Sequence, residues 1–239
     1  MIFDIIEASQ NIGSTQMIIS IIFAYAVILL VAFPIHECSH AFMAKLLGDD
    51  TAFRQNRVTL NPIAHLDVLG TIGILLCGIG WAKPVPVNPT RARKVSARAA
   101  MAITAAAGPI SNILISLIFI VTAKLLPMIC GYDTTIYYIY YAFNYAAIIN
   151  ISLAVFNLLP IPPFDGSRIL LVFLKERTYF KIMQYEQYIM IGILMLLWTG
   201  ILDVPLNFLN NAVMSFLDLV TKFLGSSQEI MLKFVMSLG

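Results

Sequence analysis

The stretch MIISIIFAYAVILLVAFPIHECSHAFMAKLL, residues Met17 to Leu47, decides how the chain is read. It is an almost unbroken apolar run up to Phe33, which continues past Pro34 into His36-Glu37-Cys38-Ser39-His40 and ends where Gly48 offers a C-cap. As one helix it would be roughly 45 Å long against a hydrocarbon core of ~30 Å, so it predicts a membrane-spanning helix with one protruding or tilted end. Pro34 predicts a kink just before the polar cluster. Histidines four residues apart share one helical face and can clasp one metal ion, and Glu37, beside that face, can take a proton from water activated by the metal. Ionisable groups beside a spanning helix are costly and mark function by default.

The composition points to the same setting. Hydrophobic residues make up 59% of the 239 and charged residues 12%, where a soluble domain carries about 25% charged residues. Too little polar surface exists to cover a water-soluble globule, so the expectation is an all-α multi-pass membrane bundle. The length suits a single domain over 1–239, with a core at about 17–200 and amphipathic helices in 204–239. A net charge of +2 does not suggest nucleic acid. Cys38, Cys77 and Cys130 are too widely spaced for a disulfide framework or a Cys-x-x-Cys knuckle. Residues 1–16 contain no Lys or Arg and lack the basic region of a signal peptide.

Further long helices are expected at Ala97–Leu126, Thr134–Leu159 and Lys181–Ile201, and an amphipathic one at Val204–Leu224 with Asn207, Asn210, Asn211, Asp218 and Thr221 on one face. Leu69–Gly80 is apolar but too short to cross a bilayer. Twelve of the 15 lysines and arginines fall into three groups, at 45–57, 83–98 and 168–181. All three share one side if 69–80 is a re-entrant segment. The positive-inside rule makes that side cytoplasmic and puts the N-terminus outside, with the active site towards the cytoplasm.

Catalytic zinc takes three protein ligands and keeps a position open. His36 and His40 supply two; the third must come from His65 or from an Asp or Glu. Asp165 follows the proline-rich break 160–163, at the same leaflet as His40 in the charge-derived topology, with Gly166 beside it to permit a tight turn. An N-cap for the following short helix is the competing role for Asp165.

Five motifs occur in order: His36-Glu37-Cys38-Ser39-His40, Asn61-Pro62-Ile63-Ala64-His65, Trp81-Ala82-Lys83-Pro84-Val85-Pro86-Val87-Asn88-Pro89, Gly108-Pro109-Ile110-Ser111-Asn112, and Phe156-Asn157-Leu158-Leu159-Pro160-Ile161-Pro162-Pro163-Phe164-Asp165-Gly166. Over roughly residues 17–200 this closely resembles the site-2 protease family of intramembrane zinc metalloproteases, in particular its short bacterial branch without a PDZ or CBS domain. The resemblance implies one Zn²⁺ per chain on His36, His40 and Asp165, with Glu37 as general base. It implies that Asn157 faces the site and helps hold the substrate or the oxyanion. It also implies a small membrane-associated β element from Thr51–Leu60 and Ala82–Val87, whose edge could hold an unwound substrate segment. His65 is expected either to bond a ligand or the substrate or to be a satisfied structural histidine at a turn, and Asn112 to pack near the site or against substrate. The implied reaction is hydrolysis of a peptide bond within or next to a transmembrane segment of a membrane protein. The alternative is a non-enzymatic zinc-bound scaffold or transporter. A transporter would show internal repeats, and a scaffold has no use for Glu37.

Overall fold

The computed structural model describes residues 15–77, 80–170, 172–174 and 176–238. The expected outside N-terminus, Lys175 and residues 78–79 of the re-entrant stretch lie outside these. The described chain is helical: α1 (Thr15–Leu47), α2 (Thr51–Arg54), α3 (Pro62–His65), α4 (Val68–Cys77), α5 (Ala97–Cys130), α6 (Thr134–Asn157), α7 (Asp165–Leu170), α8 (Glu176–Met183), α9 (Glu186–Trp198), α10 (Asp203–Val220) and α11 (Ser227–Leu238). Among the described residues, α1, α5 and α6 are long and apolar enough to cross a bilayer, and the protein is a multi-pass membrane protein.

The irregularity expected at Pro34 is taken up one turn earlier. Residues Ile28–Ala32 form a π turn, closed by a bond from the Phe33 N–H to the Ile28 carbonyl. A proline lacks the N–H that would bind the preceding turn, and a π turn re-phases the ladder around such a gap. Beyond it the helix runs regularly through His36 and His40 and stops at Gly48, whose φ of 106° is open only to a residue without a Cβ.

The core lies where α1, α5 and α6 meet. Ile28, Ala32, Ile120, Ala146, Ala147 and Ile151 are all but inaccessible there, and the alanines let the helices approach closely. Ile19, Ile22, Leu114 and Ile118 are exposed on the outer faces of α1 and α5, as lipid-facing residues should be. A lysine is buried in the bundle as well. Lys124 of α5 is 1% exposed, and its Nζ donates to Asp218 Oδ1 and Thr221 Oγ1, each at 2.8 Å. With Asn210 donating to Ser152 Oγ, this turns the polar face of α10 onto α5 and α6.

Two expectations are corrected. The stretch Lys181–Ile201 is not one long helix. Helix α9 has 13 residues, about 20 Å, and joins α10 at a bend of 86°, with Gly200 at φ 73° in the turn. The β element is not formed. The described residues contain no strand, and the only bridge is a single antiparallel one between Leu66 and Ala82. The reason is local. Asp49 Oδ1 accepts the Thr51 N–H at 3.0 Å and starts the helical turn α2 where a strand was expected. In the other stretch Pro84 and Pro86 remove two of the three donors from one edge. What remains is cross-bonding between loops: the Lys83 N–H donates to the His65 carbonyl and Arg57 Nη2 to the Lys83 carbonyl.

Candidate metal centre

Helix α1 presents His36 and His40 one turn apart, both buried, with Nε2 atoms 3.0 Å apart and rings edge to face. The second side of the site comes from α5. The Thr104 carbonyl lies 2.7 Å from His40 Nδ1. A carbonyl only accepts, so Nδ1 carries the hydrogen and Nε2 presents its lone pair to the centre.

The third side comes from the break after α6. The chain turns through Pro160–Phe164, with the Phe164 N–H bonded to the Ile161 carbonyl and Phe156 packed on Phe164, and Asp165 opens α7. A Cβ on Gly166 would lie 2.2 Å from the Leu158 carbonyl oxygen and 2.4 Å from that of Leu159. Only glycine permits this close turn, which carries Asp165 Oδ2 to 3.3 Å from His36 Nε2 and 3.2 Å from His40 Nε2.

The three atoms fit a zinc ion. Their separations of 3.0, 3.2 and 3.3 Å are close to the ~3.3 Å between tetrahedral ligands bonded at ~2.0–2.1 Å. The chemistry of the set agrees. A lone pair on His40 Nε2 facing a carboxylate oxygen is repulsive unless a cation lies between them. Among the described residues, this is the only such convergence of three His, Cys, Asp or Glu side chains.

Glu37 is 9% exposed, and its carboxylate has no hydrogen-bond or ion-pair partner among the described residues. It is therefore free to hold a proton. The other expected residues are not among the converging ligands. Asn157 ends α6 and gives its Nδ2 to the Leu153 carbonyl at 3.0 Å. His65 is fully buried, donates Nε2–H to the Thr59 carbonyl at 2.8 Å, and is not among the converging ligands. Asn112 is 1% exposed; its main-chain carbonyl accepts from Asn150 Nδ2 while its own Oδ1 is unpartnered.

Sequence reasoning missed Gly108 as a site residue. A Cβ there would lie 2.4 Å from His40 Nε2 and 2.6 Å from His36 Cε1. The available signal was a glycine inside a 34-residue helix, where it is about 1 kcal/mol worse than alanine. Gly108→Ala is expected to displace both imidazoles, lower zinc content and reduce cleavage about 100-fold, the scale of a 1 Å misplacement. Gly192→Ala, with nothing within 4 Å of the added carbon, is the matched silent control. Zinc per chain and turnover of both variants check this.

Comparison with known proteins bears on this geometry. The family model for peptidase family M50 matches residues 126–199, which include Asn157 and Asp165. "Putative zinc metalloprotease YwhC" of Bacillus subtilis (strain 168) is 40% identical over 176 residues, 72% of this chain and 78% of its own length. "Putative zinc metalloprotease Rip2" of Mycobacterium tuberculosis is 26% identical over 172 residues, covering 70% of this chain and 63% of its own length. No solved structure matches.

Proposed function

The chain belongs to peptidase family M50, the zinc metalloproteases of the site-2 protease type, and from that premise we propose that His36, His40 and Asp165 hold its zinc and that it cuts a peptide bond within or next to a transmembrane segment of a membrane protein. The observation that carries this is the convergence of those three ligand atoms, next to Glu37, which has no hydrogen bond or ion pair among the described residues. Bound zinc supplies a Lewis acid that polarises the scissile carbonyl and acidifies water.

The protein's own residues do the rest. Thr104 fixes the His40 tautomer through its carbonyl. Asp165 contributes the anionic ligand from a turn that Gly166 keeps tight. Glu37 accepts one proton from the attacking water and passes it to the departing amine nitrogen, which regenerates the carboxylate. Asn157 can hold the substrate or the oxyanion once its amide leaves the Leu153 carbonyl. Asn112 and His65 serve as supporting residues behind the centre. A scaffold or transporter role would leave the free Glu37 carboxylate without a task.

The test is direct. The purified chain is expected to carry about one zinc, and His36→Ala/His40→Ala to lose both the metal and cleavage of a transmembrane reporter. Zinc retained in that double variant would refute the ligand assignment.

The orientation belongs to the same proposal. A Cβ on Gly70 would lie 1.9 Å from the Trp81 carbonyl oxygen, and one on Gly80 would lie 2.0 Å from the Gly70 carbonyl oxygen. The stretch from 70 to 80 thus ends where it began, which supports re-entry and one shared side for the basic groups. Residues 91–98 and 175–181 are then cytoplasmic and the loop 131–134 outside. Single cysteines at positions 93 and 177, on a cysteine-free background in intact cells, should show the same accessibility to an impermeant thiol reagent. Opposite accessibility would overturn the topology.

A further inference from the structure

A second charged site lies at the protruding end of α1. A cleft of about 440 Å³ is lined by Gly48, Asp50, Arg54, Thr90, Arg91 and Arg93. Three exposed arginines line it beside one aspartate, and none of them has an ion-pair partner among the described residues. Three like charges converging without a counter-ion are unfavourable on their own and suit an anion.

The cleft is built rather than incidental. The buried Asp49 ties its walls together, accepting the Thr51 N–H on Oδ1 and the Asn88 N–H on Oδ2 at 2.6 Å. The Arg93 N–H donates to the Leu47 carbonyl at 3.0 Å. The position of a Cβ on Gly48 lies 3.1 Å from that same nitrogen, so the two walls touch.

The surroundings specify the kind of anion. Phe42, Leu46 and Phe53 are exposed on the last turn of α1 and the first beyond it, with Lys45 Nζ 3.3 Å from the Phe53 ring centre. An apolar belt giving way to guanidinium groups, where a spanning helix ends, matches a lipid with its acyl chains on the belt and its phosphate among the arginines. We propose that Arg54, Arg91 and Arg93 form a binding site for the phosphate of an anionic phospholipid headgroup at the membrane surface. Gly48, on the wall of the cleft, lies eight residues beyond His40, about 12 Å along the helix axis, and none of the cleft residues is a metal ligand.

The test uses the whole zinc-loaded chain in nanodiscs containing equal phosphatidylcholine and phosphatidylglycerol, with retained lipids counted by native mass spectrometry. The expected result is selective retention of phosphatidylglycerol. Each single Arg→Gln change should lower it about fivefold, and R54Q/R91Q/R93Q should abolish it with zinc content intact. The charge-preserving R54K/R91K/R93K should keep much of the preference and shows that the region still folds. R177Q/K181Q, which removes two other basic residues, should leave it unchanged. Equal retention of the two lipids, or loss of preference in R177Q/K181Q as large as in the cleft variant, would overturn the proposal. A separate arm adds inorganic phosphate. Binding of phosphate to the arginines with no lipid preference would assign the cleft to a free anion and overturn the lipid reading.

Discussion

Glu37→Gln is expected to leave zinc bound at about one per chain while peptide hydrolysis falls by about 10²- to 10⁴-fold, the range that general acid–base groups contribute. The expectation rests on the different standing of neighbouring residues on one helix. His36 and His40 aim their Nε2 atoms at Asp165, whereas Glu37 belongs to no hydrogen bond or ion pair among the described residues. Glutamine keeps the shape of the side chain but cannot take up a proton. The measurement is turnover of a transmembrane reporter in reconstituted vesicles, beside metal analysis of the same preparation. Full activity in the variant would remove Glu37 from the chemistry. Loss of zinc together with activity would make it a structural support of the metal instead.

Asp165→Asn is expected to weaken zinc binding and abolish cleavage, whereas His65→Ala should leave zinc bound and at most slow turnover. Asp165 is within 3.3 Å of both ligand nitrogens, and asparagine would face them with no negative charge. His65 spends its Nε2–H on the Thr59 carbonyl, so the alanine variant loses that one loop contact and no metal ligand, while the main-chain bond from Lys83 stays. Loss of a supporting residue costs about 10–100-fold in affinity or activity, so the Asp165 change should exceed that range and the His65 change fall inside it. Zinc titration and cleavage of the two purified variants decide the matter. Zinc lost from His65→Ala and kept by Asp165→Asn would exchange their roles.

The centre was legible in sequence to the extent that its residues carry chemistry. The four-residue spacing of His36 and His40 fixes a shared helical face, and the proline-rich break marks where Asp165 leaves the bundle. Thr104 and Gly108 were not legible. One acts through its main-chain carbonyl and the other through the absence of a side chain, and neither property is visible until α5 is set against α1. The long apolar helices α1, α5 and α6 followed from composition alone. The strands at Thr51–Leu60 and Ala82–Val87 did not form, because a side-chain acceptor at Asp49 and the donor gaps at Pro84 and Pro86 outweigh β propensity over such short lengths. The break between Met183 and Glu186, which shortens α9 to 13 residues, escaped as well, since no proline or glycine marks it, whereas the turn between Ile201 and Val204 was expected.

The ion pair between Lys124 and Asp218 also orders events in time. The two residues are 94 positions apart, so at roughly 5–20 residues per second the lysine is synthesised about 5–20 s before its partner. During that interval the ammonium lacks its native carboxylate partner. It stands six residues before the end of α5 at Cys130, near enough for its stem to carry the charge to the interface. Its native burial is therefore a late event, complete only when the C-terminal helices have been made and docked. The end of α5 that closes last is therefore the one remote from the candidate metal centre, about 24 Å along the helix from Gly108.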